Sequence, residues 1–356
     1  MAPFLGRLGN GGGTIAGFGF GKRKVPSDAR TSRPIIFTMW GAGGGGWIRK
    51  SDPAWGPPSG SGGSGGALIA TTTIENLGLN SGDQLSIYVG GGGAMSGSGG
   101  PNGGHPGGGG GGTSYGGGGG GMTSIYMKGS FSTGTLLLIA GGGSGGFALT
   151  NIAGLNADPP PAYVSGTGAG GGSQSSGGSG GGPGFGGAPG GTSGSQFSGG
   201  SAGPAAGGGG AGYYGGGGGG GDNGAATGSP GGSGSSYINT TYFTNDTTDS
   251  GIANGAVIAN IFKRFPAPFN PPMPFSNPTA SYPYGPLVYP GPYSQPAGNT
   301  ASLPFPGQNA GHPLYNASYG GATNSGGNGN PGSVFITIAG TTYSFTSVGP
   351  HTLTIP

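Results

Sequence analysis

The sequence has no cysteine, only 5% charged residues and no apolar run long enough to cross a bilayer. The absence of cysteine excludes disulfides and thiolate metal sites. The longest aliphatic run, residues 136–140, is far shorter than the roughly 20 residues that a membrane-spanning helix needs. The N-terminus lacks the apolar stretch of a signal peptide, so we expect a soluble protein that is made in the cytoplasm and does not insert into a membrane.

Residues that carry catalysis are scarce as well. The three histidines, His105, His312 and His351, lie far apart in the sequence, and the eight acidic residues form no obvious carboxylate pair. A GxSxG pattern around Ser64 lies in a Ser/Gly repeat without the helix that a hydrolase nucleophile requires. We therefore expect no enzyme, with no catalytic, cofactor-binding or metal-ligating residues.

Glycine is what the chain has in excess. It accounts for 101 of the 356 residues, about four times ordinary usage, and 32 further residues are proline. Ordering so much glycine costs a large backbone entropy, which only a regular, repetitive structure can offset. No segment has the apolar stripe of a helix, so we expect very little helix.

Composition divides the chain into four regions. Residues 1–34 form a basic arm, and residues 35–262 form a glycine-rich body. Residues 263–325 are rich in proline and tyrosine, and residues 326–356 return to glycine followed by β-type sequence. The proline-rich region is typical of an extended strap over its own body or a neighbouring subunit, the other interpretation being a solvated linker.

The basic arm carries most of the positive charge. Eight of the eleven Lys and Arg residues, but only one of the eight acidic residues, lie in residues 1–50. Lys22, Arg23 and Lys24 are the candidate anchor to an acidic partner, and the alternative is a solubilising tail. Nothing in the arm predicts nucleic-acid specificity.

Short apolar segments in the body are typical of β-strands because they are rich in Ile, Val, Thr and Tyr and end at glycine or turn residues. They comprise residues 35–40, 67–77, 83–90, 123–128, 135–141 and 255–262.

Uninterrupted glycines lie between these segments, at 43–46, 90–93, 107–112, 116–121, 207–210 and 215–221. They lack the period of collagen, and flexible linkers do not usually alternate with strands. The alternative is a bundle of left-handed polyglycine II helices, in which rods without side chains pair their N–H and C=O groups laterally. We therefore predict an all-β fold in which a framework of short strands carries such a bundle.

The order in which strand-like segments and glycine runs follow one another resembles the sequence pattern of a known family. The phrases FTMWGAGGGGW (37–47), LSIYVGGGG (85–93), LLLIAGGGSGG (136–146) and GAGYYGGGGGGGDNG (210–224) are similar to the glycine-rich domain of viral and bacteriophage structural proteins. They also resemble the glycine-rich region of anaplastic-lymphoma-kinase-type receptors. The resemblance covers about residues 35–262 and implies a β framework with polyglycine II helices. Phage members of the family include receptor-binding adhesins at tail-fibre tips.

Two features depart from that pattern. The receptor members are secreted and disulfide-bearing, whereas this chain has no cysteine, which favours a particle assembled in a host cytoplasm. The phrase FTSVGPHTLTIP, which resembles an opening strand of the family, stands here at residues 345–356. We expect this strand, with Phe345, Leu353 and Ile355, to complete the β framework of its own subunit or of a neighbour.

Aromatic residues supply the candidate recognition surface. Trp47 ends the phrase WGAGGGGW, Trp55 lies in the loop PAWGPP, and Tyr213 and Tyr214 interrupt a glycine tract. Such residues bind partners or sugars well, although the tryptophans can also cover the end of a glycine bundle. For Trp40, which lies on a predicted strand, we favour the structural role.

These features together predict a structural component of a virus or bacteriophage particle, in its tail, fibre or capsid surface. Its partners would be other virion proteins and copies of itself. The alternatives are a receptor-binding adhesin for a host glycan or outer-membrane protein, and a self-assembling extracellular filament or matrix protein.

Overall fold

The structure is a computed structural model. It describes residues 33–48, 59–60, 62–63, 65–95, 103–113, 116–146, 169–173, 175–183, 187–221, 229–243, 281–282, 285–286 and 327–356. The chain divides into two units, Met1–Ser32 and Arg33–Pro356, and all described residues belong to the second. These residues are nearly all strand or extended segment with almost no helix, so the predicted all-β class is confirmed.

Thirteen strands lie in the described residues. They are β1 Pro34–Trp40, β2 Trp47–Ile48, β3 Ser59–Gly60, β4 Ala67–Thr73, β5 Gln84–Val89, β6 Thr123–Met127, β7 Thr135–Ala140, β8 Tyr237–Ile238, β9 Ser281–Tyr282, β10 Gly285–Pro286, β11 Ser333–Ile338, β12 Thr341–Phe345 and β13 Gly349–Thr354.

Two antiparallel sheets contain most of these strands. The first sheet has the order β12-β11-β1-β4, and the second has the order β13-β5-β6-β7-β8. The pairs β2-β3 and β9-β10 form separate two-stranded ladders. Along β1 and β5 buried residues alternate with less buried ones, as expected for strands with one face on a core. All five residues of β6 are buried, because both faces of this central strand are covered.

The core lies between the two sheets. One hydrophobic cluster joins Phe37 and Met39 of β1 to Leu85 and Ile87 of β5, and Phe37 meets the ring of Phe243 edge to face at 5.9 Å. A sandwich of this kind buries the inner face of each sheet against the other.

The C-terminal segment contributes to both sheets. β11 pairs with β1, and Ala339 and Gly340, both with positive φ, form the two-residue turn into β12. The chain then crosses to the second sheet, where β13 pairs with β5 over six residues. Residues 333–354 therefore supply two strands of one sheet and an edge strand of the other.

Two strand expectations need comment. The predicted strand 67–77 is too long, because β4 ends at Thr73. There the Thr73 hydroxyl accepts a hydrogen bond from the Asn76 N–H at 3.1 Å, and the following turn needs a positive φ at Gly78. The predicted strand 255–262 lies outside the described residues.

Candidate recognition surface

Glycine segments continue the strands at one end of the sandwich. They follow β1, β5 and β7 and precede β4, β6, β8 and β11, which run the opposite way. These segments are residues 41–46, 62–63 with 65–66, 90–94, 116–121, 141–146, 229–236 and 327–332. Antiparallel pairing brings all seven out of the same end, so they lie side by side.

Residues 41–46 are hydrogen-bonded in three directions. In residues 41–46, every third N–H donates to the same neighbouring segment. Gly41 and Gly44 donate to Gly66 and Gly63, Ala42 and Gly45 donate to Gly121 and Gly118, and Gly43 and Gly46 donate to Asn330 and Gly327, all at 2.8–3.0 Å. A β-strand alternates between two directions only, so this period of three is not that of a sheet.

The contacts between segments leave no room for side chains. A Cβ placed on Gly44 would collide with the Ser144 carbonyl oxygen, and one on Gly117 would collide with the Gly45 carbonyl oxygen. A Cβ on Gly90 would come within 2.6 Å of the Gly121 oxygen. At Gly182, by contrast, a Cβ would meet nothing within 4 Å.

Side chains in the outermost described segments lie on the solvent side. In residues 175–183, Gly178 and Gly181 are buried, whereas Ser176 and Ser179 are exposed. Residues 192–201 form a tight reversal instead, in which Ser195 and Ser198 bond to each other and Thr192 bonds to Ser201, and the hydroxyl residues of this reversal are exposed. In residues 175–183 a spacing of three therefore separates buried glycine from exposed serine.

Tyr213 and Tyr214 lie in an uninterrupted row of ring contacts. The ring of Tyr213 stacks on Tyr237 with centroids 4.2 Å apart, and it meets Tyr214 edge to face at 5.2 Å. Phe197 lies 6.1 Å from Tyr213 and 5.5 Å from Phe131. We call the whole row the aromatic strip, which consists of Tyr88, Tyr126, Phe131, Phe197, Tyr213, Tyr214 and Tyr237.

The second sheet provides the other end of the strip. Register places Tyr88, Tyr126 and Tyr237 on the face of this sheet that points away from the sandwich core. Phe131, in the turn between β6 and β7, contacts Tyr126 at 5.5 Å and Tyr88 at 5.6 Å, and its N–H donates to the Tyr88 hydroxyl at 3.4 Å.

The residues beneath the strip and Tyr126 are buried, whereas the other six rings of the strip are half-buried. Met122, Ile139 and Ala211 form a small buried cluster beneath it. Tyr126 is 2% exposed, and its hydroxyl has no hydrogen-bond partner among the described residues. Burial raises the pKa of Tyr126 to about 12 and also raises the pKa of Tyr237. The other members of the strip are half-buried.

Phe197 has an unfavourable backbone conformation. Its φ of 64° lies in the left-handed region, which costs a bulky residue about 1–3 kcal/mol. The Phe197 ring lies between the rings of the second sheet and those of residues 213–214 and contacts both groups. Sequence reasoning selected Tyr213 and Tyr214 but missed Phe197, although a lone aromatic residue in SGSQFSGG was the available signal.

The remaining predicted site residues do not lie in the aromatic strip. Trp47 begins β2, opposite Gly60. Lys22, Arg23, Lys24 and Trp55 lie outside the described residues. Leu353 and Ile355 are buried in the sandwich core, and Phe345 packs against its margin. Trp40 meets Phe335 edge to face at 5.8 Å.

Charged groups are few near the strip. The described residues between Lys128 and Asp222 include no charged side chain. Within the described part of the chain, no three His, Asp or Glu side chains converge as metal ligands, and no helix there is long and apolar enough to cross a membrane.

No protein-family model matches the chain, and no curated protein is significantly similar to it.

Proposed function

We propose that this chain is a structural component of a virus or bacteriophage particle, whose rigid body is a bundle of polyglycine II helices on a β-sandwich. The observation that carries the proposal is the period of three in the hydrogen bonds of the glycine segments. Polyglycine II has three residues per turn and no internal hydrogen bonds, so each rod must bond to neighbours on several sides.

The close approach of the segments supports the same assignment. Because an ideal Cβ on Gly44 or Gly117 points at a neighbouring carbonyl oxygen, the Cα–H bond of the glycine points there too. Such Cα–H···O contacts add a small stabilisation to each rod contact. A larger residue would separate the rods and leave buried N–H groups unpaired.

A body of this kind suits assembly better than chemistry. Its stiffness comes from backbone contacts, while its segments carry few functional groups beyond hydroxyls. In the proposed particle, the arm with Lys22, Arg23 and Lys24 anchors the subunit to other virion proteins by charge. The predicted strap, residues 263–325, lies outside the described residues apart from 281–282 and 285–286.

A receptor-binding adhesin is the second candidate, and the aromatic strip favours it. Half-buried tyrosines with a polar end are frequent anchors of recognition surfaces. The third candidate, a self-assembling filament, is less well supported. The exposed side chains of Ser176 and Ser179, three residues apart in residues 175–183, would hinder another glycine rod from approaching that side.

Immunogold electron microscopy tests the proposal. Antibodies raised against the purified full chain are applied to particles and to extracellular material from the source culture. We expect gold at fixed sites on discrete particles. Gold confined to extracellular filaments, or filaments grown from the purified chain alone, would support the matrix protein and overturn the particle role.

A further inference from the structure

The aromatic strip has a geometry that a purely structural cluster does not need. Its floor of Met122, Ile139 and Ala211 is already buried. The rings above this floor nevertheless continue from Tyr88 to Tyr214 as one row, with neighbouring centroids 4.2–6.2 Å apart. Most of these rings keep part of their surface exposed to solvent.

Phe197 makes the row continuous. It contacts Phe131 on one side and Tyr213 on the other, so without it the strip would separate into two groups of three rings. The backbone keeps this ring in place at an unfavourable φ of 64°. Phe197 stands in the tight turn that Ser195 and Ser198 close, a position that takes a positive φ, and this turn places its ring between Phe131 and Tyr213.

The described residues that flank the strip are mostly polar and uncharged, with Lys128, directly after β6, as the exception. Hydroxyl residues flank the rings at Ser130, Ser132 and Thr133 in the turn that carries Phe131, and at Ser195 and Ser198 beside Phe197. The described residues between Lys128 and Asp222 include no charged side chain. Ligands with phosphate, sulfate or carboxylate groups are bound mainly by Arg and Lys, of which the described residues in this part of the chain offer only Lys128.

We propose that the aromatic strip binds a neutral carbohydrate chain, whose sugar rings lie on the exposed aromatic surface between Tyr88 and Tyr214. Sugars present C–H faces that pack on aromatic rings, and their hydroxyls pair with tyrosine and serine hydroxyls at the edges. A row of rings fits a chain of several sugars better than a single one. This inference rests on the adhesin form of the proposed function and names the ligand of that surface.

The test is an array of neutral and anionic oligosaccharides, probed with the purified full chain. Hits are titrated by isothermal calorimetry with the parent protein and with Phe197→Ala, Tyr214→Ala and Tyr343→Ala. Tyr343 is a half-buried tyrosine of β12 outside the strip and is the matched control. We expect saturable binding of neutral chains, a loss of at least about tenfold in affinity for the two strip variants, and no loss for the control.

Thermal unfolding of each variant shows whether it is folded. If Phe197→Ala fails to fold, Tyr214→Ala carries the test. No binder among the neutral chains, binding restricted to anionic chains, or equal affinity of the strip variants and the parent would each overturn the inference.

Cell labelling separates this inference from the function on which it rests. Host cells are treated with periodate, which oxidises sugar diols, or with proteinase. Loss of labelling after periodate supports the carbohydrate ligand. Loss only after proteinase overturns it while the adhesin function stands. If no cells are labelled but gold still marks the particles, the adhesin function fails and the structural function stands.

Discussion

At the scale of single residues, the space available for a methyl group decides which glycines of these segments can be substituted. Around Gly44 and Gly117 the nearest atoms are carbonyl oxygens of neighbouring segments, which cannot move without breaking hydrogen bonds. Around Gly182 there is open space. Glycines that all lie in glycine-rich runs therefore differ greatly in how well they tolerate substitution.

Gly44→Ala and Gly117→Ala are each expected to lower the free energy of unfolding by at least about 3 kcal/mol, because the methyl group forces rods apart and unpairs backbone groups. Gly182→Ala is the matched control. It is expected to change stability by no more than about 1 kcal/mol, since its site is open and its φ is not positive. Urea unfolding followed by circular dichroism measures all three, and equal stability of the three variants would contradict the bundle.

Tyr126→Phe is expected to stabilise the protein by about 1 kcal/mol, because it removes an enclosed hydroxyl that has no partner among the described residues. Tyr88→Phe is the control and should destabilise slightly, since the Tyr88 hydroxyl accepts a hydrogen bond from the Phe131 N–H. Both changes are measured by urea unfolding at pH 7, and a loss of stability in Tyr126→Phe would contradict the expectation.

The same residue predicts a pH effect. Burial raises the pKa of Tyr126 to about 12, whereas in the unfolded chain it is near 10. Between these values the unfolded state releases a proton that the folded state keeps, so stability falls as pH rises from about 10 to 12. Stability measured across this range should fall less steeply in Tyr126→Phe, and an unchanged slope would assign the alkaline loss to other groups.

At the scale of elements, the longer strands can be predicted from the sequence, whereas the two-residue strands and the strand partners cannot. Residues 35–40 and 123–128 are recognisable because their β-branched and aromatic side chains stand between glycines or turn residues. Nothing local indicates that β1 pairs with β11, some 300 residues away, or that β13 pairs with β5. The row of rings was missed for the same reason, since Phe131 and Phe197 meet only after the chain has folded.

Deletion of residues 341–356 removes β12 and β13 and leaves the inner residues of β5 without their neighbour. We expect loss of cooperative unfolding and of the β-type circular dichroism spectrum, because the chain then cannot close its own sandwich. Folded monomers that no longer assemble would instead show that the strand is donated between subunits.

A point substitution refines this test. Leu353 is 6% exposed in the core, whereas its neighbour Thr352 is exposed on the same strand. Leu353→Asn should cost at least about 3 kcal/mol and Thr352→Asn less than about 1 kcal/mol in urea unfolding. Equal effects would indicate that β13 is not packed as an integral strand.

At the scale of the whole molecule, the described residues gain little stability from charge. Arg33 and Glu75 form an ion pair at 3.4 Å whose side chains are partly exposed. Exposed pairs contribute about 0–1 kcal/mol and are screened by salt. Apolar burial in the sandwich and backbone hydrogen bonds between glycine segments therefore stabilise the described part of the chain.

We therefore expect the free energy of unfolding to change by less than about 1 kcal/mol between 50 and 500 mM NaCl. Urea titrations at the two salt concentrations measure this difference. A loss of several kcal/mol in high salt would show that the charged residues of the chain, including those of residues 1–50, stabilise the fold.

The three-way bonding of residues 41–46 also has a mechanical consequence. A sheet under load can be peeled one strand at a time, because each strand is bonded only within a plane. A segment bonded on three sides offers no such plane, and extracting it requires several rows of bonds to break at once. The glycine end of the molecule should therefore resist shear from any lateral direction, as a part exposed to repeated impact or drag would need to do.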